Sequence, residues 1–385
     1  MDYLQMSNKR VPVLSLEGQP LMPTKASRAR RWLAEGKAKV VHNDLSIFQI
    51  QLTQSSGGQL QDIAIGVDPG SSFTGLAVQS KHETLVGVNL NLPRKEVSKR
   101  MSERAVLRRT RRGRRIKRNL LFNLRNHRQK RFDNRRQSKI APSILASKQL
   151  ELRVIKELFA IYPITHAYVE MLNKSDSPAF TRAAQGQNWL VCQLAEFTDV
   201  NLVAGFETSN TRIHLGLAKS KNKAEQSPDA HANDGVSLAA RHFIRYTVSN
   251  LTNSSSWDGF VKVTAFDFLM VSRLGNRPRK MHDLTINKGG RRDSYGGFES
   301  THPYRNGDKV EYRTKKLHLV GIVSACDLYQ MFPKRQRLKQ GITAKNTRLI
   351  SRNCNLLVNH TRRTAFPPVT KLGTAMVRVS TQKIR

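Results

Sequence analysis

The stretch from Arg94 to Lys139 carries twenty Lys or Arg against only Glu96, Glu103 and Asp133, and it constrains the fold more than any other part of the chain. So many like charges cannot enter a core, and side by side they repel one another. Between Arg104 and Arg118 there is one glycine and no proline, while Val106, Leu107, Ile116, Leu120, Leu121 and Leu124 leave room for an apolar stripe. A long arginine-rich helix is predicted, with phosphates needed on more than one side to relieve the repulsion. Arg exceeds Lys here, and its planar multi-donor head suits bidentate phosphate contacts, which favours structured RNA or an RNA–DNA hybrid over a localisation signal.

The whole chain points the same way. Its 385 residues hold 66 Lys plus Arg against 28 acids, a formal charge of +38 and a pI near 10.9, so a polyphosphate partner is expected. A hydrophobic content of 38% suffices for two or three folded units. No apolar run reaches the ~18 residues of a membrane span, and the first thirty residues lack a secretory core, so a cytoplasmic location without a membrane partner is expected. Cys192, Cys326 and Cys354 form no C-x-x-C pair. They are read as buried or incidental thiols, giving neither a disulfide framework nor a cysteine zinc site.

Ahead of the basic stretch lies a small α+β pattern. Pro20-Leu21-Met22-Pro23 precedes a helix-like run from Ala26 to Gly36, with Thr24 as a candidate N-cap and Gly36 as the residue past its end. A strand pattern runs through Ile47, Phe48, Ile50 and Leu52, and Gly57-Gly58 marks a linker. Next, Ile63-Ala64-Ile65-Gly66-Val67-Asp68 is an apolar strand ending in a carboxylate, and Thr74 to Val78 and Glu83 to Leu92 continue it as a meander. Beyond the basic stretch a helix over Lys148 to Tyr162 leads to a strand carrying Glu170. Further on, Asp229-Ala230-His231-Ala232-Asn233-Asp234 opens an apolar helix on which His231 and Asp234 share a face, with Asp229 a weaker candidate. Divalent-metal nucleases need carboxylates converging from different elements, so Asp68, Glu170, His231 and Asp234 are the candidate catalytic set, the three acids holding metal. Histidine as a residue type titrates near neutrality, which suits the role given to His231, orienting or deprotonating water.

From residue 255 the composition changes. Trp257 to Leu269 reads as strand-rich, and Lys309 to Tyr312 with Leu317 to Ser324 alternate like paired strands of a small β-barrel. Between them Arg277, Arg279, Lys280, Arg291 and Arg292 are loop cations interleaved with Tyr295, Phe298 and Tyr304, a pattern suited to nucleic-acid contact.

This ordered set, D-P-G-S strand, arginine-rich helix, V-E strand and H-A-N-D helix, resembles the split RuvC nuclease with its bridge helix in CRISPR type II effectors and their transposon-encoded relatives. The P-L-M-P start is similar to the module of the IscB and IsrB families. Glu170 and Asp234 are only 64 positions apart, and apart from His231 that interval holds one histidine, His214, and no cysteine pair. No HNH insertion fits, so the chain resembles IsrB. The resemblance implies an α/β, RNase H-like mixed sheet split by a bridge helix, between an N-terminal α+β module and a C-terminal β-rich domain. The expected boundaries are an N-terminal module 1–58, RuvC segments 59–93, 141–200 and 201–254, a bridge helix 94–140 and a C-terminal domain 255–385. It further implies a monomeric ribonucleoprotein that uses a large guide RNA to find double-stranded DNA beside a short flanking motif. It would nick the displaced strand with two magnesium ions, or manganese. Arg100, Arg104, Arg108, Arg109, Arg111, Arg112, Arg114, Arg115 and Arg118 would bind RNA, and the loop cations of the 277–292 stretch would read the motif. The rival readings are a guide-free, structure-selective DNA endonuclease with the same acids, and a non-catalytic RNA-binding protein.

Overall fold

The computed structural model describes residues 10–115, 119–124, 140–171, 182–249, 254–273 and 304–361, apart from short gaps at 56, 223–224, 226, 305–306, 315–316, 325–326, 331–335, 343 and 352–355. The chain opens with β1 (Arg10–Leu14), β2 (Pro20–Lys25), α1 (Ala26–Ala34), β3 (Ala38–Val41) and β4 (Gln49–Leu52). The four strands form one sheet in the order β2-β1-β4-β3, closed over a small core of Val11, Val13, Ala29, Ala38 and Ile50. Thr24 does not cap α1 as expected. It is a buried strand residue, and Lys25 takes the cap position without a side-chain bond, because β2 runs straight into the helix. Gly36 does sit just past the helix end with φ +70°, the left-handed conformation that glycine adopts without steric cost.

Next come β5 (Ile63–Pro69), β6 (Phe73–Ser80), β7 (Thr84–Asn91), α2 (Arg94–Arg115), α3 (Pro142–Ile161), β8 (His166–Met171), α4 (Arg182–Ala195), β9 (Asp199–Ala204), α5 (Gly205–His214) and α6 (Ala232–Ala240). The chain then adds β10 (Ile244–Ser249), β11 (Ser254–Gly259), β12 (Asp267–Arg273), β13 (Lys309–Arg313), β14 (His318–Ser324), β15 (Asp327–Gln330), β16 (Gln336–Lys339), β17 (Thr347–Ser351) and β18 (Leu356–Thr361). The central sheet has seven strands in the order β18-β12-β7-β6-β5-β8-β9. Strand β6 is antiparallel to both β5 and β7, whereas β5, β8 and β9 run parallel. The sheet is therefore mixed, and its parallel half needs the crossovers through α3 and α4.

Strand alternation sorts the two faces. Ile63, Ile65 and Val67 of β5, Leu76 and Val78 of β6, and Ala167 and Val169 of β8 pack with Val154, Ile155 and Leu158 of α3 and Leu190 and Leu194 of α4. The opposite face of β5 and β6 carries Ala64, Gly66, Gly75 and Ala77. Helix α6 lies on it, every one of its nine residues buried. A Cβ at Gly66 would collide with the backbone of Gly235 and Ala239, and one at Gly75 with the backbone of His231. Small residues on both sides thus let helix and sheet backbones approach more closely than side chains would allow.

The compositional change at residue 255 is not the edge of this sheet, because β12 pairs in parallel with β7 and β18 closes onto β12. Between those two strands the chain forms a separate antiparallel sheet in the open order β16-β15-β14-β13-β17, where a small barrel was expected. Its core holds Tyr304, Val310, Tyr312, Val323 and Leu328. Tyr304 is therefore no exposed base-contacting aromatic: it is buried, and its hydroxyl donates to the Thr347 carbonyl at 2.7 Å. Cys192 is exposed rather than buried, while Cys326 and Cys354 lie outside the described residues. No described helix is long and apolar enough to cross a membrane.

Candidate active site

Asp68 and Glu170 reach the same end of the sheet on neighbouring parallel strands. Val67 is paired with Val169, so the next residue on each strand is the carboxylate, and both side chains project to the α6 face. His231 comes at the start of α6. It is not within the helix, as the three-residue spacing to Asp234 suggested, but holds the cap position with φ −145° and ψ −33°, after a single 3-10 turn at Pro228–Ala230. Its Nδ1 lies 3.8 Å from Asp68 Oδ2, and its ring stacks on Phe73 with centroids 5.2 Å apart. The close seat of Gly75 under the His231 backbone fixes that placement.

Asp234, in the first turn of α6, is 3% exposed. Its carboxylate accepts from Arg212 Nη1 at 2.6 Å and lies 2.9 Å from Lys219 Nζ. Glu170 feels both other acids: burial foremost, then the negative charges of Asp68 and Asp234, push its carboxyl above the usual range, against the Thr208 hydroxyl and Lys219. Asp68 and Asp234 thus both act on Glu170, although among the described residues the ligand atoms of the three acids do not all come within 4.8 Å of one another, and Arg212 and Lys219 stand beside Asp234. Gly205 keeps space beside them, since a Cβ there would stand 3.3 Å from Glu170 Oε1. Asp229 takes no place in the set. Its carboxylate accepts from Asn233 Nδ2 at 2.9 Å, which braces the turn before α6.

Helix α5, the source of Arg212, was not foreseen. Two marks of it stand in the sequence: Glu207, whose carboxylate accepts from the Ala204 N–H at 3.0 Å, and Gly216, at φ +66° just past the helix end. Glu207 also binds Arg241 Nη2 at 2.8 Å, tying α5 to the end of α6.

The arginine-rich stretch does form a helix, over Arg94–Arg115. Arg104, Arg108 and Arg109 are exposed, and so are Met101, Val106 and Leu107. Arg100 is half-buried, 3.9 Å from Glu96. Arg111, Arg112, Arg114 and Arg115 lie in the last turns of α2, and Arg118 falls outside the described residues. Arg277, Arg279, Lys280, Arg291 and Arg292 are also outside them.

A family model described as RRXRR protein matches residues 11–185. The pattern of that description occurs twice in α2, as Arg108-Arg109-Thr110-Arg111-Arg112 and Arg111-Arg112-Gly113-Arg114-Arg115. Among solved structures, the chain matches T. thermophilus RuvC in complex with a Holliday junction substrate, at 13% identity and a TM-score of 0.26. That match covers 47% of this chain and 92% of the other. No curated protein matches the chain.

Proposed function

We propose that this protein is a RuvC-type, RNA-guided DNA nickase of the IsrB kind, with Asp68, Glu170, His231 and Asp234 as its active site. The observation that carries the nuclease reading is the assembly at one end of the sheet of side chains that are far apart in sequence: Asp68 and Glu170 on adjacent strands, His231 within 3.8 Å of Asp68, and Asp234 close enough to act on Glu170. The strand order supports an RNase H-like core. An antiparallel meander β5-β6-β7 is continued on its other edge by parallel β8 and β9, with α2 in the chain between the two parts. The RRXRR family model, found in IscB- and IsrB-like proteins, supports the guided branch, as does the exposed basic face of α2.

Asp68, Glu170 and Asp234 are the residues that would hold magnesium, which supplies charge stabilisation to the phosphoryl oxygens and a lowered pKa to water. His231, fixed by Phe73 and by its close backbone contact with Gly75, stands at the mouth of the acidic set with one ring nitrogen towards Asp68. It accepts the proton of the attacking water from that position. Arg212 and Lys219 neutralise Asp234 and present positive charge to a scissile phosphate. The exposed arginines of α2 bind the guide, and base pairing reads the target while the protein reads duplex shape and a short flanking motif.

The test is a nicking assay on guide-loaded protein with Asp68→Ala. The expected loss is at least about 10³-fold, roughly 4 kcal/mol of barrier. Retained magnesium-dependent nicking removes Asp68 from the mechanism. RNA of defined size copurifying with the protein separates the guided enzyme from a structure-selective endonuclease.

A further inference from the structure

A second group of metal-ligating side chains lies at the opposite end of the same strands. Asp62 precedes β5, His166 opens β8 and His242 follows α6. One ligand atom of each lies within 4.8 Å of those of the other two. His242 Nε2 is 3.5 Å from Asp62 Oδ2, and His166 Nε2 is 4.0 Å from Asp199 Oδ2 at the start of β9. The two imidazoles stand face to face, centroids 4.2 Å apart and tilted by 30°.

Both rings direct Nδ1 at a hydroxyl, His166 to Thr165 Oγ1 at 2.9 Å and His242 to the Tyr168 phenol at 3.4 Å. The Thr165 hydroxyl is itself held against the Ile63 backbone, 3.1 Å from its carbonyl and accepting from its N–H at 3.3 Å, so it anchors the His166 ring with Nε2 turned towards Asp199. An outer hydroxyl that orients a histidine through the nitrogen it does not use for ligation is the usual support of a metal ligand.

We propose that Asp62, His166 and His242 bind one transition-metal dication of the zinc class, with Asp199 closing the set as fourth ligand. Two imidazoles and two carboxylates neutralise a dication and give the borderline-soft, four-coordinate donor set that zinc prefers, whereas magnesium requires oxygen ligands. In such a site neighbouring ligand atoms stand ~3.3 Å apart, a contraction that side-chain rotation of exposed Asp62 and Asp199 supplies. About 20 Å of strand separates this cluster from Asp68. The site is therefore independent of the nuclease reading. The ion would staple β5, β8 and the C-terminal end of α6, the helix whose other end presents His231 and Asp234.

The test uses the full chain, stripped with a chelator and returned to buffer with excess Mg²⁺, so that the carboxylate site is occupied. Zn²⁺ is titrated by calorimetry and Co²⁺ by its visible ligand-field bands. The expected result is one ion per chain, four-coordinate cobalt bands and a raised Tm, unchanged in Asp68→Asn and abolished in the His166→Gln/His242→Gln double variant. Asp62→Asn, at an exposed position, should weaken binding by at least about tenfold without disturbing the fold. Absence of magnesium-resistant zinc binding overturns the proposal, as does zinc affinity left intact in the double variant or in Asp62→Asn.

Discussion

Replacing Gly66 by alanine adds one methyl group at the seam where α6 meets β5. A Cβ there would stand 2.6 Å from Ala239 N and 2.8 Å from Leu238 Cβ, and nearer still to the Gly235 carbonyl oxygen. Carbon makes favourable contact only from ~3.5 Å, so the helix must withdraw by at least about 1 Å. Side-chain rotation cannot relieve the nearest clashes, because those atoms are helix backbone, and Gly235 itself lies where a Cβ would be 2.9 Å from Ala77 N. Overpacking of this kind costs about 1–3 kcal/mol. A displacement of about 1 Å, passed along α6 to His231 and Asp234, costs roughly 100-fold in turnover. The assay pairs thermal unfolding with magnesium-dependent nicking by guide-loaded protein. Gly58→Ala serves as control, since its methyl would meet only Leu21 Cδ2 at 3.5 Å, an ordinary contact. Wild-type Tm and rate in Gly66→Ala would refute the close seating of α6 and its role in placing the site.

Lys148 and Glu151 form a buried ion pair at 2.8 Å on the other face of the sheet. Lys148→Met should lower stability by about 3–5 kcal/mol, and adding Glu151→Leu should recover most of it, as read from urea midpoints. Burial foremost, with Asp267 adding to it, raises the Tyr162 phenol above the usual tyrosine range, so the folded state keeps a proton that the unfolded chain releases. That contribution is full below about pH 10 and is lost as pH rises further, so Tyr162→Phe should flatten the alkaline fall of Tm. Replacing Arg108, Arg109, Arg111 and Arg112 by alanine should weaken RNA binding and reduce the slope of log affinity against log salt by about three to four. An unchanged slope would place these arginines in solvent.

How much of this was legible in advance follows from the range of the interactions concerned. Local patterns identified β5 through its apolar run ending at Asp68, β8 through the V-E pair, and α2 through a dense charge run without proline. Each depends on neighbours within a few residues. Arg212 was invisible because its partner Asp234 is 22 positions away and on another helix. That β12 and β18 belong to the central sheet was not legible, because composition reports solvent exposure, while membership of the sheet depends on hydrogen bonds to β7 and to each other.

The sequence by itself determined the chemistry on hand: an excess of cations that cannot be buried, and carboxylates at the ends of apolar strands. Only the tertiary structure decided which of them meet. Parallel pairing of β5 with β8 set Asp68 beside Glu170 at one end and Asp62 near His166 at the other, and the glycines under α6 set how closely His231 approaches. Register and close packing of this kind are properties of pairs of distant segments, and no single stretch of chain encodes them.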